Sequence, residues 1–337
     1  MPTTVLLPLL VFRLTTQAFR PASPILKSEF IYEAAPFPSC HASTIAETRD
    51  HRLVAAWFGG TAESNPDVVV YTSRLVDGVW TKPERAADGL QDGKPFACYN
   101  PVLCQPSNGP LLLFYKYGTG PQGWLGRMTR SEDDGKTWLP YRDLPAGVLG
   151  PIKNKPIELP HHIIYCPSST EERGWRVRFE WTCDLGQTWH VGKDVNDPKV
   201  IGAIQPSILP LTRDHLRAVG RSQQGKVFAI DSWDRGKTWG SMKLLDVPNP
   251  NSGIDAVQLR DGRSLMVYNH TPQGRTPLNV AISTDAETWK PVVTLEDQPG
   301  EYSYPAVIQT HDGLVHITYT WHRQRIKHVV IDPKLLR

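Results

Sequence analysis

The chain has 337 residues, with 37 Lys and Arg against 34 Asp and Glu, so its formal charge is only +3 and the concentrated positive charge of a nucleic-acid-binding surface is missing. It is 40% hydrophobic and 21% charged, which supplies a large core and excludes a long disordered chain. The 26 Gly and 30 Pro are scattered along its length, punctuating short strands and excluding an all-helical fold.

In chain order, the apolar run at residues 5–12 is too short to cross a bilayer, so no membrane span is expected. Residues 1–26 read as a leader or targeting segment. If residues 1–20 act as a signal peptide, the protein is secreted or periplasmic; otherwise it is cytoplasmic. Residues 27–337 then form a single domain built from a repeat. Six pairs of strand-like runs follow one another: 42–47 with 53–60, 101–104 with 111–116, 155–158 with 162–166, 205–209 with 216–221, 255–259 with 264–270, and 304–309 with 314–319. After these pairs comes a recurring turn, S/T-x-D-x-G-x-T-W, at residues 131–138, 182–189 and 232–239, with a shortened copy at 283–289 and a remnant at 73–80.

Its tryptophans, Trp80, Trp138, Trp189, Trp239 and Trp289, recur at close to fifty residues, the period of propeller blades. In the turn, Asp and Ser/Thr oxygens bind local backbone, Gly supplies a positive φ, and the Trp packs between blades. Its Asp residues are therefore structural. The fold class expected is all-β, a six-bladed β-propeller with Asp-box turns.

In a propeller the start of each inner strand and the end of each second strand face one central mouth. Inner starts bring His41, Asn100, Lys155, Gln205, Asp255, Tyr302 and Tyr304 there, and second-strand ends bring Trp57, Lys116, Ser168, Ser169, Arg221, Asn269, His270, Trp321 and His322. Third strands add Arg176, Arg178 and Glu180 from one blade, and Arg323 and Arg325 from another. Cations, aromatics and amides converging on one axis make a pocket for an anionic sugar or an organic acid. The adjacent His161 and His162 fall in a strand run and so face opposite sides. With no H-E-x-x-H motif and no zinc spacing among the five cysteines, neither a metal nor another cofactor is expected.

The Asp-box turns and the repeat length resemble the sialidase superfamily, in its BNR repeat-like branch, from about Lys27 to Lys334. Longer runs carry the likeness: FPSCHAST at 37–44, WFGGT at 57–61, GPIKNKP at 150–156, PNPNSGID at 248–255 and GEYSYP at 300–305. Sialidases resemble one another in an arginine triad whose first member lies in an F/Y-R-I-P motif. That place here reads Cys40-His41-Ala42-Ser43, and an imidazole lacks the planar fork that grips a carboxylate.

The chain also resembles propeller uronate lyases of the rhamnose-α-1,4-glucuronate lyase type, a resemblance that implies β-elimination at a 4-substituted glucuronate. On that reading His41, Tyr302 and Arg221 are catalytic, with Arg176 or Arg325 assisting at the carboxylate. Lys116, Lys155, Asn100, Gln205, Asn269, Tyr304 and Trp57 would hold the substrate. The superfamily also implies an alternative, an exo-α-sialidase-like glycosidase with Asp67 as acid/base and Tyr302 as nucleophile assisted by Glu180. A third reading is a sugar-binding propeller without catalysis. The partner expected is a carboxylate-bearing oligo- or polysaccharide, with no nucleic acid, and the chain is expected to be a monomer.

Overall fold

The computed structural model describes residue 1 and residues 22–337, so the apolar run at 5–12 lies outside the described residues. Six antiparallel sheets, five of four strands and one of five, form the expected six-bladed propeller. The inner strands are Ser39–Glu47, Ala97–Cys104, Ile157–Leu159, Ala203–Pro210, Asp255–Gln258 and Tyr302–Gln309. Strand Ile25–Phe30 pairs with Arg325–Ile331, so the last blade takes its outer strand from near the N-terminus and the ring closes. That strand begins two residues before the boundary read from the sequence, because pairing partners almost three hundred residues away decide it.

Apolar clusters fill the seams between neighbouring blades. Val54 and Ala56 meet Leu103 and Leu113 between the first and second blades; Tyr32 and Trp57 meet Ala306 and Ile326 between the first and last. Each fully buried aliphatic or aromatic side chain in these seams contributes about 1.5–3 kcal/mol. The Asp boxes fasten the outer ends of the seams. Asp133 accepts hydrogen bonds from the Ser131 hydroxyl at 2.8 Å, the Thr137 N–H at 2.9 Å and the Thr137 hydroxyl at 2.7 Å, which hold its pKa down at about 2. Gly186, with φ near +82°, turns against the preceding blade so closely that a Cβ would lie 2.7 Å from Met128 Sδ. Cys40, Cys98 and Cys166 are buried in strands, and all five cysteines are free.

Polar groups fill the axial channel. Lys155 reaches across it to both carboxylate oxygens of Asp255, at 3.0 and 2.9 Å, and to the Ala256 carbonyl. Asp255 also accepts from the Ser207 hydroxyl at 2.7 Å and the Val307 N–H at 2.8 Å. Asp255→Ala is expected to destabilise the protein by about 3–5 kcal/mol, because it strands a half-buried lysine and an inner-strand amide. A urea unfolding midpoint close to that of the unmodified protein would contradict this.

Where the ring closes, buried His316 donates to or accepts from His328 at 2.9 Å, and His328 stands 3.1 Å from Glu29 of the N-terminal strand. Burial, then the neighbouring His328, pulls the His316 pKa down to about 4, and burial also lowers that of His328. Below pH 6.5 the unfolded chain takes up protons that these folded imidazoles refuse, so stability falls with pH across the window from 6.5 towards 4. The expected slope is about 1.4 kcal/mol per pH unit for each such group. Unfolding free energies measured between pH 7 and pH 4.5, if flat, would overturn this linkage.

Candidate active site

Bulges create the mouth. In the first, second, fourth and last blades the inner strand slips register just after it starts, and Ala42, Asn100, Gln205 and Tyr304 there have φ between +41° and +57°. Three of the four precede proline: Asn100-Pro101, Gln205-Pro206 and Tyr304-Pro305. A left-handed residue other than glycine costs about 1–3 kcal/mol, and four around one axis mark a site that the rest of the fold sustains.

His41 and Tyr304 are the centre of the mouth. Their rings meet with centroids 4.2 Å apart and planes inclined by 52°. His41 is 2% exposed, rests on Phe58, and its Nδ1 is buried without a hydrogen-bond partner. Burial, then the positive charges of Arg323, Arg275, Arg221 and Lys153, holds its pKa well below the ordinary value of 6.5. The imidazole is therefore neutral at physiological pH and available to accept a proton.

Arg221 ends the second strand of the fourth blade, Leu216–Ser222. Its guanidinium donates to Asn251 Oδ1 at 3.0 Å, Gln205 Oε1 at 3.3 Å and the Tyr304 hydroxyl at 3.0 Å. None of the three partners is a carboxylate, and among the described residues Arg221 makes no ion pair. Its cation also lies 4.8 Å over the Trp175 ring. Arg275 is 5.7 Å from the Tyr304 ring centroid, and Glu301 links it to Arg323, which also pairs with Glu63.

Lys153, at φ +68°, donates to Asn154 Oδ1 and to the carbonyls of Ile254 and Pro305, and burial brings its pKa down to about 7. Gly253 keeps the space between Lys153, Gln205 and Tyr304 open: a Cβ there would stand 3.3–3.5 Å from all three. At the rim, burial raises the Glu171 carboxyl above its ordinary pKa against the opposing pull of Arg221 and a Trp175 hydrogen bond. A cavity of about 730 Å³ elsewhere, beside Phe30, Tyr32 and Trp80, has one lysine in its lining, so chemistry rather than volume singles out the mouth.

A family model described as the BNR repeat-like domain matches residues 51–317. The chain belongs to the BNR repeat-like family. No curated protein matches it in sequence. Among solved structures its fold is similar to that of the Hadza microbial sialidase Hz136, with TM-score 0.76 and 16% identity over 89% of this chain and 66% of that one, slightly under two thirds of its length. A protein of unknown function from Dyadobacter fermentans gives 0.75 and 19% over 93% and 99%. The intramolecular trans-sialidase from Ruminococcus gnavus gives 0.75 and 13% over 94% and 99%. At these identities the likeness concerns the fold.

Within this BNR repeat-like fold, the other residues singled out from sequence stand away from the mouth pair. Trp57 is fully buried and stacks on Tyr32 in the seam between first and last blades. Tyr302 is buried among apolar side chains, with its hydroxyl 3.3 Å from His322 Nε2. The bulge beginning after Ser303 shifts the alternation, so Tyr304 meets Arg221 and His41. Lys116 is buried with its ammonium on the Pro151 carbonyl, and Lys155 is committed to Asp255. Arg176 lies near Asp194, and Arg325 pairs with Glu33 over the Phe30 ring.

Asn269 binds the carbonyls of Arg275, Pro277 and Tyr302, so it positions the loop that carries Arg275. Glu180 is engaged by the Leu149 and Gly150 amides, Ser168 and Arg178, and makes no contact with Tyr302. Exposed Asp67 accepts from the Thr61 N–H and hydroxyl, which lower its pKa. His161 and His162 form a left-handed turn rather than a strand, with His162 on Glu158. Sequence reasoning passed over Arg275, Lys153, Glu171 and Trp175. Arg275 and Trp175 lie in loops between second and third strands, and extending the superposition from strand ends to those loops would have reached both.

Proposed function

We propose that this BNR repeat-like protein is a carbohydrate-active enzyme that eliminates across a 4-substituted glucuronate and releases a terminal sugar such as rhamnose. The observation that carries the reading is a neutral, buried His41 against Tyr304 beside Lys153 and three arginines, of which Arg275 and Arg323 pair with Glu301 while Arg221 has no carboxylate partner among the described residues. A substrate carboxylate would supply that missing charge, and its enolate-like transition state would draw more strongly on the same arginines. His41 takes the C5 proton, the C5–H electrons form the C4=C5 double bond, and the C4–O bond breaks with its electrons on the leaving oxygen. Tyr304 gives that oxygen a proton. Gln205 and Asn251 fix the guanidinium that receives the carboxylate.

A sialidase-like hydrolase is the second reading, favoured by the Tyr304 hydroxyl, a nucleophile type that forms covalent intermediates, lying at the mouth 3.0 Å from Arg221 Nη1. The test incubates the protein with a rhamnose-capped glucuronate oligosaccharide and, separately, an aryl sialoside, following ultraviolet absorbance and released sugar. Free rhamnose with rising absorbance supports elimination, since only elimination leaves a conjugated unsaturated uronate. Free sialic acid without absorbance supports the hydrolase. Saturable binding of either sugar without turnover contradicts both and leaves a binding propeller.

A further inference from the structure

On the face opposite the mouth, where inner strands turn back into second strands, Glu47, His51 and His311 come together. Glu47 ends the inner strand Ser39–Glu47, His51 lies in the turn after it, and His311 lies in the equivalent turn of the last blade. Both imidazoles direct Nδ1 at one carboxylate oxygen: His51 Nδ1 is 3.4 Å from Glu47 Oε1, and His311 Nδ1 hydrogen-bonds to it. The other oxygen accepts the His311 backbone N–H at 2.9 Å, so the acid and this turn hold each other across the seam. The rings stack with centroids 3.7 Å apart and planes 28° from parallel. One ligand atom from each residue lies within 4.8 Å of the other two.

Ligand bonds of roughly 2.0–2.2 Å around tetrahedral zinc separate neighbouring donors by about 3.3–3.5 Å. The His51–Glu47 spacing of 3.4 Å already meets that. Two nitrogens and one oxygen suit zinc, nickel or copper, whereas calcium and magnesium favour all-oxygen sets. The histidine side chains are 55% and 51% exposed, so an ion can enter from solvent and keep a water as its fourth ligand. The His51 position is not left to chance: its N–H donates to the Thr48 carbonyl at 3.0 Å and its φ is +58°.

We propose that Glu47, His51 and His311 form a zinc-class metal site that ties the first blade to the last. The ion takes the place of the hydrogen bond between the Glu47 and His311 side chains, and clamps turns 264 positions apart in sequence. The experiment adds zinc chloride to the metal-free full-length protein and reads calorimetric binding and thermal unfolding. One equivalent is expected to bind, raising Tm by about 2–6 °C near saturation, while calcium chloride changes neither.

Both effects are expected to vanish in the His51→Asn/His311→Ala double variant, with its metal-free Tm staying near that of the unmodified chain. Asparagine tolerates the left-handed backbone at 51, and alanine at 311 keeps the N–H bond to Glu47. Absence of zinc binding to the unmodified protein, or the same affinity and Tm rise in the double variant, overturns the site.

Discussion

His41→Ala is expected to lower kcat by roughly 10²–10⁴-fold while KM changes by less than about threefold, the signature of a lost proton-transfer group. The residue is buried between Phe58 and Tyr304, so its removal also costs packing; the comparison is therefore made on protein whose circular dichroism and unfolding midpoint show that it is folded. Free imidazole added to the variant should restore part of the rate, which a purely structural role does not allow. The pH profile supplies an independent reading. With the His41 pKa held well below 6.5 by burial and then by Arg323, Arg275, Arg221 and Lys153, the acid limb of kcat/KM is expected below pH 6.5. A bound carboxylate offsets those cations and raises the pKa, so the acid limb of kcat should lie at higher pH than that of kcat/KM. Unaltered kcat in the alanine variant would remove His41 from the chemistry.

Arg221→Lys should lose roughly 10²–10³-fold in kcat/KM, although the charge is retained. An ammonium cannot reproduce the planar fork that donates to Asn251, Gln205 and Tyr304 while presenting its remaining edge to a carboxylate. Arg221→Ala also takes away one of the cations depressing the His41 pKa. Its acid limb in kcat/KM should therefore move to higher pH than in the unmodified protein. A large loss of rate without that displacement would mean that Arg221 acts on the substrate without electrostatic coupling to His41.

The architecture was legible because its determinants are local. An Asp-x-Gly turn closes on its own Ser, Thr and backbone groups, as Ser131, Asp133 and Thr137 do, and the motif needs no distant partner to be recognised. The mouth was legible only at His41, Gln205, Arg221 and Tyr304, which share hydrogen bonds or ring contacts there. Asn100 stands at the equivalent bulge of the second blade, buried at φ +41°. Tyr302 lies away from the His41–Tyr304 pair because a bulge changes which residues of a strand face the axis, and alternation alone does not reveal an inserted residue.

Lys116, Lys155 and Glu180 are residue types that suit the site, yet they are engaged by Pro151, Asp255 and the Leu149–Gly150 amides. These are long-range pairings that one strand does not announce. Arg275 reaches the mouth because Asn269 binds its loop at two carbonyls and the last inner strand at the Tyr302 carbonyl, a constraint visible only after folding.

Elimination and hydrolysis differ in the fate of water. The most direct measurement runs the reaction on a rhamnose-capped glucuronate in heavy-oxygen water and weighs both products. The mechanism built on His41, Tyr304 and Arg221 predicts an unlabelled rhamnose and an unlabelled, ultraviolet-absorbing uronate. Heavy oxygen in either sugar, or no cleavage of this substrate, would contradict it.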